Sequence, residues 1–252
     1  MKTAIASALT LLFSCLAATS ARAQLAVEAD GRGVMRVRVG DATYLTDLAV
    51  SVVAPGWSGD LANQRAADPE EVSIHREGKT DIYVVPLADP LPGVLIQRIK
   101  REDDAVVLEF EVIPDQEAEL ETVLLRGSLA VADHAGRTTY IVGEPGGARG
   151  TLPAELDADS YIAWSGRPDW LGLERPGAGG LRVEPRDAAV QLQDDRKWDA
   201  DHFSLMLTAS GGEVLARKPI RFGVTLRAKA PGALAADARR AGGVPQGDDR
   251  PT

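Results

Sequence analysis

Val94-Leu95-Ile96-Gln97-Arg98-Ile99-Lys100-Arg101-Glu102-Asp103-Asp104-Ala105-Val106-Val107-Leu108-Glu109-Phe110-Glu111-Val112-Ile113 reads as two strands joined by an acidic turn. In the second arm Val106, Leu108, Phe110 and Val112 alternate with Val107, Glu109, Glu111 and Ile113. Successive side chains of a strand point to opposite faces, so this period of two places one face in a core. The same grammar recurs on both sides. Leu25–Ala29 and Val34–Val39 flank Asp30-Gly31-Arg32-Gly33, and Val72–Arg76 and Asp81–Pro86 flank Glu77-Gly78-Lys79-Thr80; both predict hairpins. Thr122–Val131 and Arg137–Val142 around Asp133-His134-Ala135-Gly136 predict another. Val190 and Leu192 point inward and Gln191 and Gln193 outward, and Phe203, Leu205 and Leu207 answer them across the acidic loop Asp194–His202. Val214–Arg227 predicts a last hairpin partner, in which Pro219 marks a bulge or an edge. Trp57–Pro69 reads as a long polar loop, and Ala233–Arg240 as a short helix before a Pro/Gly-rich, charged end. About a dozen or more short strands with regular turn signals predict an all-β fold, an antiparallel β-sandwich from 24 to 230, followed by a disordered tail over 231–252.

The first 23 residues have a different logic. Met1-Lys2 supplies a positive start, Ala4–Ala18 a short apolar run, and Ala21-Arg22-Ala23 an A-x-A end, the three parts of a secretory signal peptide. Processing after Ala23 would leave Gln24 first and place the protein in the periplasm or outside the cell, with no integral membrane segment. Leu12-Phe13-Ser14-Cys15 offers the alternative of a lipid anchor through Cys15, the sole cysteine. Without it no disulfide framework exists, so stability must come from a hydrophobic core. Losing Lys2 and Arg22 takes the formal charge from −9 to −11, which argues against nucleic acid and anionic membranes as partners.

Few motifs carry chemistry. Gly78-Lys79-Thr80 mimics a phosphate-loop ending, but Ser73 stands where that loop needs glycine and a strand follows instead of a helix. Gly143–Gly150 is glycine-rich without the order of a dinucleotide fingerprint. His75, His134 and His202 lie far apart and form no metal-ligand spacing. Asp194, Asp195, Asp199 and Asp201 have the oxygen chemistry of calcium, with Arg196 and Lys197 set among them; no other cofactor is implied. The segment Ser160–Leu207 holds three tryptophans, Trp164, Trp170 and Trp198, at strand ends or in loops beside Arg167, Asp169, Gln191, Gln193 and Asp194. Aromatic faces stack on sugar rings while amides, carboxylates and guanidinium groups bond hydroxyls, so these eight residues are the candidate ligand-binding set for a glycan.

Three runs in the same segment, Pro168-Asp169-Trp170-Leu171-Gly172-Leu173, Gly180-Leu181-Arg182-Val183 and Val190-Gln191-Leu192-Gln193-Asp194, resemble exported carbohydrate-active sandwich proteins. The galactose-mutarotase-like supersandwich is the arrangement they are most similar to. That resemblance implies a supersandwich and, in its enzymes, a catalytic histidine and glutamate within strands. Neither maps onto a matching motif here, so no catalytic residue is carried over. The expectation is an exported non-catalytic module that binds carbohydrate. A structural or protein-interaction sandwich is the alternative, and an epimerase or lyase using His202 comes third.

Overall fold

The structure is a computed structural model that describes residues 24–143, 147–209 and 211–240. The leader, Cys15, Glu144–Gly146 of the glycine-rich run and the end of the chain from 241 lie outside the described residues. In chain order the strands are β1 (Leu25–Ala29), β2 (Met35–Val39), β3 (Ala42–Val53), β4 (Asp60–Asn63), β5 (Ser73–Glu77), β6 (Thr80–Leu87), β7 (Gly93–Arg101), β8 (Val106–Pro114), β9 (Ala118–Leu120) and β10 (Thr122–Ala130). The helical turn α1 (Val131–His134) precedes β11 (Thr139–Val142), β12 (Arg149–Thr151), β13 (Ile162–Gly166), β14 (Leu171–Arg175), β15 (Gly179–Arg186) and β16 (Ala189–Asp194). The chain ends with β17 (His202–Thr208), β18 (Gly212–Val214), β19 (Ile220–Lys229) and helix α2 (Ala233–Arg240).

Two antiparallel sheets carry the molecule. One runs β1-β2-β3-β10-β17-β16-β13 with β4 also on β3; the other runs β12-β11-β14-β15-β19-β8-β7-β6-β5. Their facing sides share one core, in which Val37, Leu125, Leu129, Leu192 and Phe203 of the first meet Leu95, Leu108, Leu173, Leu181 and Leu226 of the second. The β7–β8 ladder, Leu95↔Val112 and Ile99↔Leu108, is the hairpin that the alternation predicts, and the hairpins β1–β2 and β5–β6 stand as read. No helix among the described residues is long and apolar enough to cross a membrane.

Four readings change. The hairpin expected around His134 does not form: β10 pairs with β3 and β17, whereas β11 pairs with β12 and β14 in the other sheet. The short turn α1 carries the chain from one sheet to the other instead. β19 likewise lies in the second sheet, between β15 and β8. Pro219 sits just before its first residue, where a missing N–H breaks no ladder. Part of the expected loop 57–69 is a strand, β4, paired with Ser51–Val53. Finally, α2 packs Leu234 and Ala238 against Ile141 and Trp170, so the packed unit reaches Arg240 rather than ending near Ala230.

Candidate functional site

The sheet that contains β16 and β17 has an outer side as well as a core side. In an antiparallel pair, residues directly opposite share a face. Leu192↔Leu205 and Val190↔Leu207 look into the core, so Gln193↔Ser204 and Gln191↔Met206 look outward. The row continues across β17 to β10 through Ser204↔Ser128 and Met206↔Arg126, and from β10 to β3 through Arg126↔Ala49 and Leu124↔Ser51. Met206, Leu124, Ala49 and Ser51 are buried although they lie outside the core cluster. The floor of this outer face is therefore screened from water.

Those side chains form one chain of hydrogen bonds. The amide of Gln191 donates to Gln193 Oε1 at 2.7 Å, and the amide of Gln193 donates to Asp195 Oδ1 at 2.7 Å. Asp195 Oδ2 accepts from the Ser204 hydroxyl and pairs with Arg126, whose Nε donates to Ser204 Oγ at 2.8 Å. His202 Nε2 stands 3.2 Å from the same carboxylate oxygen. Asp195 is almost wholly buried, and a buried carboxylate is tolerable only when charge and donors surround it. Both of its oxygens are thus engaged by neighbours.

Arg65 extends the row. It donates to the carbonyl of Arg126 at 3.1 Å and to that of Asp47. Asp47 has a left-handed backbone, φ 51°, and the β3–β10 register shifts between Arg126 and Ser128. A bulge leaves ladder carbonyls unpaired, and Arg65 satisfies two of them. Burial holds its guanidinium below the ordinary value, with the charge of Arg126 adding to the effect.

The eight residues singled out in sequence separate into groups. Gln191 and Gln193 lie in the outer row. Trp198 stands about half exposed (55%) at the end of the 3-10 turn that begins with Asp195. It meets Tyr161 edge-to-face with ring centroids 5.2 Å apart, and Lys197 Nζ lies 3.7 Å from the centre of the Tyr161 ring. Trp164 pairs with Leu192, hence faces inward, and packs half-buried on the core at the β13 edge. Trp170 is buried at 5% exposure under α2, its ring covered by Arg182 at 4.5 Å. Helix α2 and Arg182 cover it, so it offers no face to a sugar. Asp194 is buried and gripped by Arg196, Nε to Oδ1 at 2.8 Å and Nη2 to Oδ2 at 2.6 Å. Arg167 and Asp169 are exposed between β13 and β14, with no side-chain hydrogen bond or ion pair among the described residues.

Arg126, Ser204 and Arg65 escape sequence reasoning. They reach Asp195 or the outer row only through pairing between strands far apart in the chain, and their local sequence is ordinary. Two of the four loop aspartates, Asp194 and Asp195, are turned to arginines. Among the described residues no group of three or more His, Cys, Asp or Glu converges as metal ligands would.

No protein-family model matches the chain, and no curated protein matches it in sequence. Solved structures do match its architecture. A galactose mutarotase-like protein from Lactobacillus casei superposes with a TM-score of 0.55 at 8% identity, over 82% of this chain and 97% of that one. A galactose mutarotase related enzyme from Lactobacillus acidophilus does so at 0.51 and 11%, over 82% and 95%. The α-N-acetylgalactosaminidase of Bifidobacterium bifidum aligns at 0.56 and 16%, over 85% of this chain but only 36% of the enzyme. The chain therefore shares its fold with galactose mutarotase-like proteins.

Proposed function

We propose that the protein is an exported, non-catalytic module that binds carbohydrate on the outer face of the β13-β16-β17-β10-β3 sheet. One observation carries this reading: the ordered row Gln191-Gln193-Asp195-Arg126-Ser204 beside the exposed Trp198. Amide, hydroxyl and guanidinium groups held on one face present donors and acceptors for sugar hydroxyls, while an exposed indole gives a ring to stack on. Fold neighbours named as mutarotase-like proteins and as a glycosaminidase support a sugar as the ligand. Asp195 is almost wholly buried and held by Gln193, Ser204 and Arg126, so it orders the row rather than reaching a bound sugar, which supports binding over proton transfer. The leader supports export.

A second reading has its own observation. His202 lies 3.2 Å from Asp195, an orientation suited to a general acid or base in epimerase chemistry. The alternative of a structural sandwich draws on Trp164 and Trp170, both packed rather than presented.

Intrinsic fluorescence and calorimetric titration with a panel of plant, algal and bacterial oligosaccharides test the proposal. A binding sugar should shift and protect the Trp198 emission, and Trp198→Ala should weaken its affinity about tenfold, the scale of one aromatic contact. A panel in which no sugar perturbs the wild-type protein defeats it. Polarimetry on freshly dissolved aldoses decides the second reading: anomer interconversion abolished by His202→Ala would establish it in place of passive binding.

A further inference from the structure

A second exposed indole stands at the far end of the same sheet. Trp57 is about half exposed (55%), at the tip of the hairpin that joins β3 to β4. Its backbone is left-handed, φ 57°, a conformation that costs a bulky side chain free energy and persists only where the surroundings impose it. The surroundings do impose it. Gly56 and Gly59 supply the neighbouring positive φ values, the amide of Gly56 donates to Glu121 Oε2 at 2.9 Å, and Ser58 Oγ donates to the Pro55 carbonyl at 3.0 Å. A rigid, strained tip that holds a large aromatic in water is not explained by core packing.

Polar groups accompany it as they accompany Trp198. Asn63 of β4 is paired with Ser51, so it continues the outer face, and its amide donates to Asp60 Oδ2 at 2.6 Å. The register gives the separation of the two clusters. From Gln193 to Ser204 to Ser128 is one row, and from Leu124 to Ser51 to Asn63 is another. They are four residues apart along β10 and four strand steps apart from β16 to β4. At strand spacing and rise these offsets put Gln193 and Asn63, the polar residues nearest each indole along the rows, about 23 Å apart on the diagonal. Arg126 and Arg65 lie between, over the buried floor of Met206, Leu124 and Ala49.

We propose that this face takes an extended oligosaccharide, laid obliquely from Trp198 to Trp57, rather than a single sugar. The inference rests on the carbohydrate reading of the same face and adds its length and its second anchor. Two aromatic ends joined by a row of polar side chains form a track, and each sugar added along it gains contacts until the span is filled. The two anchors act on one ligand only when that ligand reaches both.

Calorimetry with the full chain, using malto-, cello-, xylo- and galacto-oligosaccharides from mono- to hexasaccharide, tests it. Affinity should rise with chain length and then level off. Trp57→Gly, which relieves the backbone strain and so preserves the fold, should weaken the longest binders about tenfold. It should leave mono- and disaccharide affinity unchanged, and Trp57→Phe should restore most of the loss. Trp198→Ala should weaken short and long ligands alike. Affinity independent of length, or equal binding of long chains by wild type and Trp57→Gly, overturns the inference while leaving a one-sugar site intact. Absence of binding for every sugar at every length overturns both.

Discussion

At the scale of the residue, His134 shows how burial sets a charge state. It lies in α1 at 1% exposure, its Nδ1 2.8 Å from Thr138 Oγ1 and its ring edge-on to Tyr44. Burial, helped by the charge of Arg175 and opposed by Asp133 and a backbone hydrogen bond at Thr43, pushes its pKa from 6.5 down to about 4. Between those two values the unfolded chain binds a proton that the folded one refuses, so stability is present above pH 6.5 and is lost as pH falls toward 4. The full loss from this group is about 3 kcal/mol. Urea denaturation at pH 7 and at pH 4.5 should reveal it, and His134→Gln should flatten that part of the pH dependence. An unchanged slope in the variant would assign the acid sensitivity to other groups. The sequence places His134 in the turn of a hairpin. Nothing local reveals that its turn crosses between sheets and is therefore enclosed by Tyr44, Thr138 and Arg175.

At the scale of the element, α2 needs a flat seat, and glycine provides it. A Cβ on Gly172 would lie 2.9 Å from Leu234, and one on Gly180 would lie 2.4 Å from it. The helix is also pinned by charge. Burial pushes the Asp237 carboxyl up, but the hydrogen bond from Lys229 and the charges of Lys229, Arg182 and Arg240 more than offset this and hold it below its ordinary value. Leu234→Ala removes the buried knob and should cost about 3 kcal/mol. The same variant should red-shift part of the tryptophan emission as Trp170 meets water, whereas an unshifted spectrum would mean that the helix stays seated without Leu234. Hairpins were legible in sequence because a short turn between alternating runs is a local signal. The seat of α2 was not, because Gly172, Gly180, Trp170 and Leu234 meet only in the folded sheet. For the same reason Gln191 and Gln193 were found as outward residues, while their partners Arg126 and Ser204 were missed.

At the scale of the whole molecule, the two sheets are joined by more than apolar packing. Gln97 on β7 and Gln64, in the turn after β4, are both fully buried, and the Gln64 amide donates to Gln97 Oε1 at 2.6 Å. That amide also donates to the Arg32 carbonyl at 2.8 Å, and the Gln97 amide donates to the Gly33 carbonyl at 2.9 Å. Gln64 Oε1 accepts from the Val50 amide at 3.0 Å. The pair thus ties β3, β7 and the β1–β2 turn at a single point. A β-carbon at Gly33, whose φ is +79°, would come within 2.8 Å of both side chains, so glycine there lets the turn close on them. An isolated buried amide pair can often be exchanged for two leucines with little loss, because both partners vanish together. Here the exchange would strand the Val50 amide and the Arg32 and Gly33 carbonyls, each a buried or half-buried backbone group with its own desolvation cost. Gln97→Leu should therefore destabilise the protein by about 2 kcal/mol, and the double variant Gln64→Leu/Gln97→Leu should be less stable still, not rescued. Thermal melts of wild type, both singles and the double decide this. Recovery of stability in the double variant would mean that the pair is only filler between the sheets.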